Sequence, residues 1–269
     1  MSDATRPDSA PTSPFTGRRA VVTGASSGIG RAAALRLAST GWTVVAVARR
    51  AERLDELAAE AAELHGEVVP VAADVTEDDD VARVLAAVDQ AGGVDTLLNI
   101  AGGARGVDAV AEAKDADWEW MLRVNVLGTL KVTRALLPAL REHGEGTVLM
   151  LTSTAGITSY EGGAGYNAAK FGAHGLTGAL RLEEAEHNVR VVEVLPGMVH
   201  TAEFSRNRLG GDQAAADAVY AGVAKPLTAE DVADVCAYAV ELPHHVNLDQ
   251  IVMRPVAQAA QHKVIRRGA

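Results

Sequence analysis

The chain has 269 residues, 48% hydrophobic and 22% charged, which suits one large globular domain or two small ones. A net charge of −10 and a pI near 5.3 argue against a nucleic-acid-binding surface, which would need clustered Lys and Arg. No run reaches the 18 apolar residues of a membrane span, and the single cysteine, Cys236, excludes an internal disulfide, as expected for a reducing, cytoplasmic compartment.

The chain opens with a segment that lacks a core pattern. Residues 1–16, MSDATRPDSAPTSPFT, contain three prolines and many small polar residues. This composition predicts a disordered tail, not a signal peptide or a membrane anchor.

From residue 17 onward, short β-branched runs alternate with longer Ala- and Leu-rich stretches of helical period, the pattern of parallel strands joined by helices. The predicted strands are RAVVTG, TVVAVAR, VVPVAAD, DTLLNIAG, GTVLMLTS, RVVEVLPG and DQIVMRP. The predicted helical stretches are GRAAALRLAST, RLDELAAEAAEL, EDDDVARVLAAVDQA, DWEWMLRVNVLGTLKVTRALLPALREH, YNAAKFGAHGLTGALRLEEAEH and TAEDVADVCAYAVEL. We therefore predict one α/β domain at 17–258, a doubly wound Rossmann-type fold with a seven-stranded parallel sheet and helices on both faces. A C-terminal tail is expected at 259–269.

The turn after the first strand reads VVTGASSGIGRAAAL and follows the pattern G-x-x-x-G-x-G. Gly24 can make the tight turn, Gly28 lets the backbone approach a pyrophosphate, and Gly30 permits close packing of helix on strand. A glycine triplet alone is weak evidence, but its place at the first βα turn favours a nucleotide site. The residues expected to line it are Gly24, Ser26, Ser27, Gly28, Ile29 and Gly30.

The end of the second strand indicates which dinucleotide would bind. An NAD site usually has an acid there for the ribose 2′-hydroxyl, but this strand ends VAVARR, with Ala48 followed by Arg49 and Arg50. Guanidinium groups suit a phosphate, so the pattern predicts NADP. The alternative, two surface arginines opening a helix, is less favoured because a helix start disfavours cations.

Two further patterns could suggest metal ligands. The acids at 77–80 follow Thr76, and we interpret them as a helix start in which Thr76 is the N-cap. His244 and His245 adjoin a proline without partner ligands at metal spacing, which is typical of a solvated turn. No metal site is predicted.

The pentapeptide YNAAK places Tyr166 four residues before Lys170. On a helix these side chains share one face, so the phenol and the ammonium can meet, and the lysine charge would lower the tyrosine pKa. On these five residues alone, an aromatic residue packed near a surface lysine remains an equal alternative.

Taken in order, TGASSGIG, NIAG (99–102), VNVLGT (124–129), Ser153, YNAAK and PGMVHT (196–201) make the chain resemble the short-chain dehydrogenase/reductase family. The resemblance runs from about Gly17 to beyond Pro255, and Ser153 precedes Tyr166 by 166 − 153 = 13 positions, as in that family. It implies that Tyr166 is the catalytic acid/base and that Lys170 also holds the nicotinamide ribose. It further implies that Ser153 binds the substrate oxygen and that the Asn125 backbone supports a proton relay.

The resemblance also carries cofactor contacts over to individual positions. Asp74 and Val75 match the adenine contact, and the ribose and carboxamide contacts match Asn99, Ala101, Gly102, Pro196, Gly197, Val199 and Thr201. For each of these, plain packing or capping is the alternative. Ile100 departs from the family's usual second asparagine, which puts one sheet-stabilising hydrogen bond in doubt.

Two stretches, 201–212 and 244–258, resemble the NADP-dependent 3-hydroxy acid dehydrogenase group, which includes serine 3-dehydrogenases. Residues at about 200–226 are expected to form a mobile substrate lid, because ligands bind beyond the carboxyl ends of the strands. Arg206 and Arg208 could meet a substrate carboxylate, with Arg208 as the matched position and Tyr160 as a further substrate contact; both arginines could equally be solvated.

These observations predict a cytoplasmic, NADP-dependent oxidoreductase that acts on a secondary alcohol or its ketone, with 3-hydroxy acids as the leading substrates. The resemblance implies a homotetramer or dimer. One alternative is a carbonyl reductase for a bulkier ketone or aldehyde. Another is a nucleotide-binding regulator without turnover, which would be free to lose one of Asn125, Ser153, Tyr166 and Lys170, yet all are present.

Overall fold

The computed structural model describes residues 17–267, so the predicted N-terminal tail lies outside the described residues. Seven parallel strands form one sheet in the order β3-β2-β1-β4-β5-β6-β7. They are β1 (Arg19–Thr23), β2 (Thr43–Ala48), β3 (Glu67–Ala72), β4 (Thr96–Asn99), β5 (Thr147–Leu151), β6 (Arg190–Pro196) and β7 (Gln250–Met253). The predicted doubly wound parallel sheet is confirmed.

Helices cover both faces of the sheet. They are α1 (Gly28–Ser39), α2 (Ala51–Ala61), α3 (Asp78–Gln90), α4 (Asp115–Leu122), α5 (Thr129–His143), α6 (Ala164–Glu184), α7 (Phe204–Arg208), α8 (Gln213–Tyr220) and α9 (Ala229–Glu241). Within the described residues, no helix is both long and apolar enough to cross a bilayer.

Alternation along the strands divides the core into two layers, because successive side chains point to opposite faces of a sheet. On one face, residues such as Val22, Val44 and Leu98 pack against α1, α2 and α9. On the other face, residues such as Val21 and Leu97 pack against α3, α5 and α6. Cys236 lies fully buried in the first layer, where burial raises the pKa of its thiol to about 12, so it is a structural thiol.

Several elements differ from the sequence-based expectations. The helical run predicted around 118–143 is split by a π-helical turn at Arg123–Gly128. The N-cap of α3 is Glu77 and not Thr76, whose backbone and hydroxyl bind Asp74 instead. Residues 200–226, which we expect to act as a lid and call the lid below, contain two short helices, α7 and α8, which the sequence pattern did not separate from the loop.

The C-terminal tail expected at 259–269 is corrected for its described part. Residues Gln258–Ala260 (β8) and Lys263–Val264 (β9) form an antiparallel pair, so the domain does not end at residue 258. Strands of three and two residues are too short to show a period of two, which is why the pattern gave no signal.

Candidate active site

Between β1 and β4 the direction in which successive strands are added to the sheet reverses. The carboxyl ends of the strands on both sides of this reversal open into one cavity of about 1250 Å³. This reversal is the switch point at which open α/β sheets bind ligands. The cavity runs from the glycine loop to the lid. All predicted cofactor, catalytic and substrate residues line it except Asn99, Asn125 and Arg206.

Two positions in the glycine loop have no room for any residue larger than glycine. Gly24 has φ +74°, and a Cβ there would lie 3.0 Å from the Cα of Ala101. A Cβ on Gly30 would lie 2.3 Å from the carbonyl oxygen of Gly24, so α1 can approach β1 only with glycine at this position. Ser26, Ser27 and the start of α1 therefore line a cradle that fits a pyrophosphate.

The two arginines after β2 are placed differently. Arg50 makes a bidentate ion pair with Glu203 of the lid, with Nη1–Oε1 and Nη2–Oε2 both at 2.9 Å, and its Nη2 donates to Ser26 Oγ at 3.0 Å. This hydrogen bonding lowers the pKa of Glu203 and raises the pKa of Arg50. Arg49 is exposed at the same end of the cavity and has no hydrogen-bond or ion-pair partner within residues 17–267. Both arginines line the cavity, and Arg50 is paired with Glu203, so its predicted contact with the cofactor stays a prediction that the pair would have to accommodate.

Asp74 and Val75 lie where β3 opens into the cavity. The Asp74 carboxylate accepts hydrogen bonds from the backbone N–H and the hydroxyl of Thr76, at 2.9 and 2.8 Å. Val75 is buried, and a Cβ on Gly128 would lie 2.9 Å from its side chain. Asp74 therefore also shapes the turn before α3.

The backbone that follows β4 is held by the side chain of Thr23 and not by an asparagine at position 100, where this chain has Ile. Its hydroxyl oxygen accepts hydrogen bonds from the N–H groups of Ile100 and Ala101, both at 3.0 Å. The side chain of Asn99 is buried away from the cavity and donates to Thr133 Oγ1 at 2.8 Å. The Asn99 side chain therefore links β4 to α5 and does not line the cavity, and its predicted contact on the ribose side stays a prediction.

The YNAAK segment is helical, as predicted. Tyr166 lies in the first turn of α6, and Lys170 lies one turn later. However, the Lys170 ammonium donates to the carbonyl of Leu151 at 3.1 Å and lies 5.8 Å from the centroid of the Tyr166 ring. The expected direct contact with the phenol is therefore corrected, because the end of β5 offers the buried ammonium an acceptor.

Burial dominates the protonation of both side chains. It raises the pKa of Tyr166 above its usual range, and Tyr160 adds to the rise, while Ser153 and Arg208 oppose it. It lowers the pKa of Lys170 to about 8, a shift opposed by the charge of Glu193. At neutral pH the phenol is thus protonated and can serve as a proton donor.

Ser153 lies between the phenol and the end of β6. Its hydroxyl accepts a hydrogen bond from the N–H of Ala155 at 3.1 Å and lies 3.3 Å from the carbonyl oxygen of Pro196, to which it donates. The Ser153 hydroxyl also lies near the Tyr166 phenol, whose pKa it lowers. These bonds hold the hydroxyl beside the phenol, where a substrate oxygen would meet both.

The π-helical turn contains Asn125. Its Nδ2 donates to the carbonyls of Gly103 and Met121 at 2.9 and 2.8 Å, and its Oδ1 accepts from the N–H of Gly103 at 3.1 Å. The side chain thus fixes the loop after β4 and does not line the cavity. π turns often occur at functional sites. Because the side chain is used in this way, the predicted relay could use only the backbone carbonyl of Asn125, which also accepts a hydrogen bond from the Thr129 hydroxyl at 3.1 Å.

The segment after β6 passes over the glycine loop. A Cβ on Gly28 would lie 3.5 Å from the side chain of Thr201. A Cβ on Gly197 would lie 2.3 Å from Gln258 Oε1, which accepts the N–H of Met198 at 2.8 Å. The expected carboxamide-side stretch, which includes Pro196 and Val199, is therefore held by the C-terminal hairpin.

The lid brings Arg208 to the catalytic residues. Its guanidinium donates to Tyr160 Oη at 2.9 Å, to the Gly162 carbonyl at 2.9 Å and to the Gly106 carbonyl at 3.1 Å. Its Cζ lies 5.8 Å from the centroid of the Tyr166 ring. Arg206 is exposed and does not line the cavity, so of the two candidate arginines only Arg208 is in a position to meet a substrate.

Sequence reasoning missed three residues of this site. Glu203 pairs with Arg50, Phe204 packs edge-on against Tyr166 with centroids 5.8 Å apart, and Gln258 holds the backbone after β6. The stretch TAEF lies within 201–212, which resembles the 3-hydroxy acid dehydrogenase group, and this resemblance is the sequence signal for Glu203 and Phe204.

Comparisons with known proteins agree with this site. Residues 18–210 match the model of the short chain dehydrogenase family. An uncharacterised oxidoreductase of Mycobacterium tuberculosis is 51% identical, covering 90% of this chain and 93% of that protein. A sulfoacetaldehyde reductase of Chromohalobacter salexigens is 42% identical, covering 88% and 94%. The closed form of a serine dehydrogenase complexed with NADP+ has a TM-score of 0.85 at 34% identity, covering 93% of this chain and 99% of that one. With agreement of this extent in both sequence and fold, the chain belongs to the short-chain dehydrogenase family, oxidoreductases that act on CH–OH groups.

Proposed function

We propose that the protein transfers hydride between NADP(H) and the alcohol or carbonyl carbon of a short anionic substrate, with 3-hydroxy acids as the leading class. The observation that carries the proposal is the position of Arg208, whose guanidinium lies 5.8 Å from the ring of Tyr166 inside the cavity. A cation beside the proton-transfer group selects substrates that carry an anion near the reacting carbon.

The chain's own residues divide the remaining work. Ser153 holds the substrate oxygen, and Tyr166 donates a proton to that oxygen in reduction or accepts one in oxidation. Lys170 would hold the nicotinamide ribose, and its charge favours the phenolate form of Tyr166. When bound, the nicotinamide supplies or accepts the hydride. Burial raises the pKa of Tyr166, so in the free protein the phenol holds the proton that reduction of a carbonyl would use.

Three features support NADP as the cofactor. Gly24 and Gly30 have no room for side chains, so the loop presents its backbone to a pyrophosphate. β2 ends on Ala48, at the position where an NAD site would usually place an acid. Arg49 presents its guanidinium at this end of the cavity, where a 2′-phosphate would meet it.

Replacing Arg49 with Ala is expected to weaken NADPH binding by about 1.5–3 kcal/mol, or about 10–150-fold, the range for hydrogen bonds to charged groups. The affinity for NADH should change little. Fluorescence titration of both cofactors measures the difference.

Arg53→Ala is the matched control, because Arg53 lines the same end of the cavity but is paired with Glu56 at 2.9 Å. It should weaken NADPH far less than Arg49→Ala does. Equal losses for NADPH and NADH in Arg49→Ala would show that Arg49 does not read the 2′-phosphate.

The chemistry of two relatives supports an anionic substrate. Serine and sulfoacetaldehyde, named in those proteins, both place one carbon between the reacting carbon and a carboxylate or sulfonate. A guanidinium has five N–H groups, and three of those on Arg208 bind Tyr160, Gly162 and Gly106. Two N–H groups therefore remain for a substrate anion.

The Arg208→Ala variant should lose most of the wild-type preference for 3-hydroxypropanoate over its methyl ester. We expect kcat/KM for the acid to fall by about 10–150-fold, the worth of a charge-assisted hydrogen bond, while the ester changes much less. Steady-state kinetics on both compounds gives the ratio.

Arg206→Ala is the control on the same helix, since Arg206 is exposed outside the cavity, and Arg208→Lys should retain part of the preference. An unchanged acid-to-ester ratio in Arg208→Ala would exclude carboxylate recognition by this residue.

A second candidate is a reductase for a bulkier ketone or aldehyde. Val107, Trp120 and Phe204 give the substrate end of the cavity an apolar wall, which favours this function. A higher kcat/KM for aryl ketones than for any hydroxy acid would support it.

A further inference from the structure

A carboxylate lies buried in the sheet behind the catalytic residues. Glu193 occupies the middle of β6, where its neighbours are apolar, and it is 0% exposed. A buried charge costs free energy unless it is paired and hydrogen-bonded. Its position therefore calls for a physical explanation.

Three side chains hold this carboxylate. Thr152 Oγ1 donates to Glu193 Oε1 at 2.6 Å. His174 Nδ1 lies 3.0 Å from both carboxylate oxygens, and Gln250 Nε2 donates to Oε2 at 3.3 Å. The donors come from β7, from α6 and from the loop after β5, so the group is fixed on three sides.

The same elements carry the catalytic set. Thr152 stands between Ser153 and Leu151, whose carbonyl accepts the Lys170 ammonium at 3.1 Å. His174 follows Lys170 by one turn of α6 and therefore lies on the same face of the helix. Glu193 is thus on the core side of the lysine, opposite the cavity.

The electrostatic effect has a clear sign. Burial lowers the pKa of Lys170 to about 8, and the negative charge of Glu193 acts against this shift. Without that charge the buried lysine would lose its proton closer to neutral pH.

Other charges near this cluster do not replace Glu193. Asp249 is exposed, and it lies 3.7 Å from Arg181, which offsets its charge. On the cavity side, Arg208 beside Tyr166 is a cation and disfavours a second positive charge.

We propose that Glu193 is a positioning residue whose buried charge, fixed by Thr152, His174 and Gln250, keeps the Lys170 ammonium protonated at neutral pH in the free protein. It acts through Lys170 and touches neither substrate nor cofactor. The inference concerns the free protein and stands even if the substrate class proposed above is wrong.

Titration of lysine labelled with ¹³C at Cε, followed by NMR in the free protein, tests this directly. The chain has only Lys114, Lys131, Lys170, Lys225 and Lys263, and Lys170→Arg identifies the resonance of interest. The wild-type Lys170 should titrate near or above pH 8. In Glu193→Gln, its midpoint should fall by about 1 pH unit, the lower end of the effect of one close opposite charge.

Three control variants separate charge from packing. Glu193→Asp keeps the charge and should leave the midpoint near the wild-type value. Thr152→Val and His174→Gln each remove a hydrogen bond but keep the carboxylate, so they should change thermal stability more than the Lys170 midpoint. A purely structural role of Glu193 would produce the reverse pattern.

Two results would overturn the proposal. One is a Glu193→Gln protein whose Lys170 midpoint equals that of the wild type. The other needs no variant that might fail to fold: a wild-type Lys170 that is already neutral below about pH 7 is not being kept charged by Glu193.

Discussion

Replacing Tyr166 with Phe is expected to lower kcat/KM by roughly 10²–10⁴-fold, the usual contribution of a positioned general acid or base. Phe retains the aromatic ring that packs against Phe204, with centroids 5.8 Å apart, and removes only the hydroxyl that transfers the proton. The affinity for NADPH should therefore survive. Steady-state kinetics and fluorescence titration measure the two quantities separately.

Tyr160→Phe is the matched control, because Tyr160 is a second phenol in the cavity and its hydroxyl binds Arg208 at 2.9 Å. Because Arg208 is charged, losing this bond should cost at most about 1.5–3 kcal/mol, or about 10–150-fold, below the upper part of the range expected for Tyr166→Phe. Retention of more than about a tenth of the wild-type rate by Tyr166→Phe would contradict its role in proton transfer.

Lys170→Ala should reduce two quantities together. The affinity for NADPH should fall by about 10–150-fold, because a charged hydrogen bond to the ribose is lost. The rate should fall by roughly 10²-fold or more, because the proton-transfer group loses the nearby charge that favours its ionised form. A fall in only one of the two would show that Lys170 does not have a double role.

Lys131→Ala serves as the comparison, since Lys131 is partly buried and binds the Thr76 carbonyl at 3.0 Å outside the cavity. It should leave both quantities near their wild-type values.

The pKa values of Lys170 and Tyr166 also predict how the activity of the wild-type enzyme depends on pH. Because Lys170 has a pKa of about 8 and Tyr166 a pKa above its usual value, activity lost on raising the pH should first report the lysine.

The fold was predictable from the sequence, and so was the meeting of Ser153, Tyr166 and Lys170 in one cavity, because the signals for them are local; their catalytic roles stay a prediction. Strand alternation and the glycine spacing each reflect contacts within about 15 residues. The number of strands, their parallel arrangement and the place of the first βα turn followed from these signals, whereas the order of the strands within the sheet did not. The spacing of Tyr166 and Lys170 likewise predicted one shared helix face, which the structure confirms.

Contacts that depend on how distant elements approach each other could not be read in this way. The direction of Lys170 depends on the carbonyl of Leu151 at the end of β5. The ion pair of Arg50 and Glu203 joins residues 153 positions apart. Neither pairing leaves a periodic or compositional trace, because each residue alone resembles an ordinary charged surface position.

The hairpin of β8 and β9 leads into a segment that is bound to the lid. Arg266 Nη2 donates to the carbonyl of Val219 at 2.9 Å, and the N–H of Arg267 donates to the carbonyl of Gly222 at 2.8 Å. Exchanging the lid between relatives in order to change selectivity would therefore break these bonds if only residues 201–225 were transplanted. A chimera should therefore take both the lid and the C-terminal residues from the same donor. These two segments are in contact in the folded protein, although 44 residues of chain separate Gly222 from Arg267.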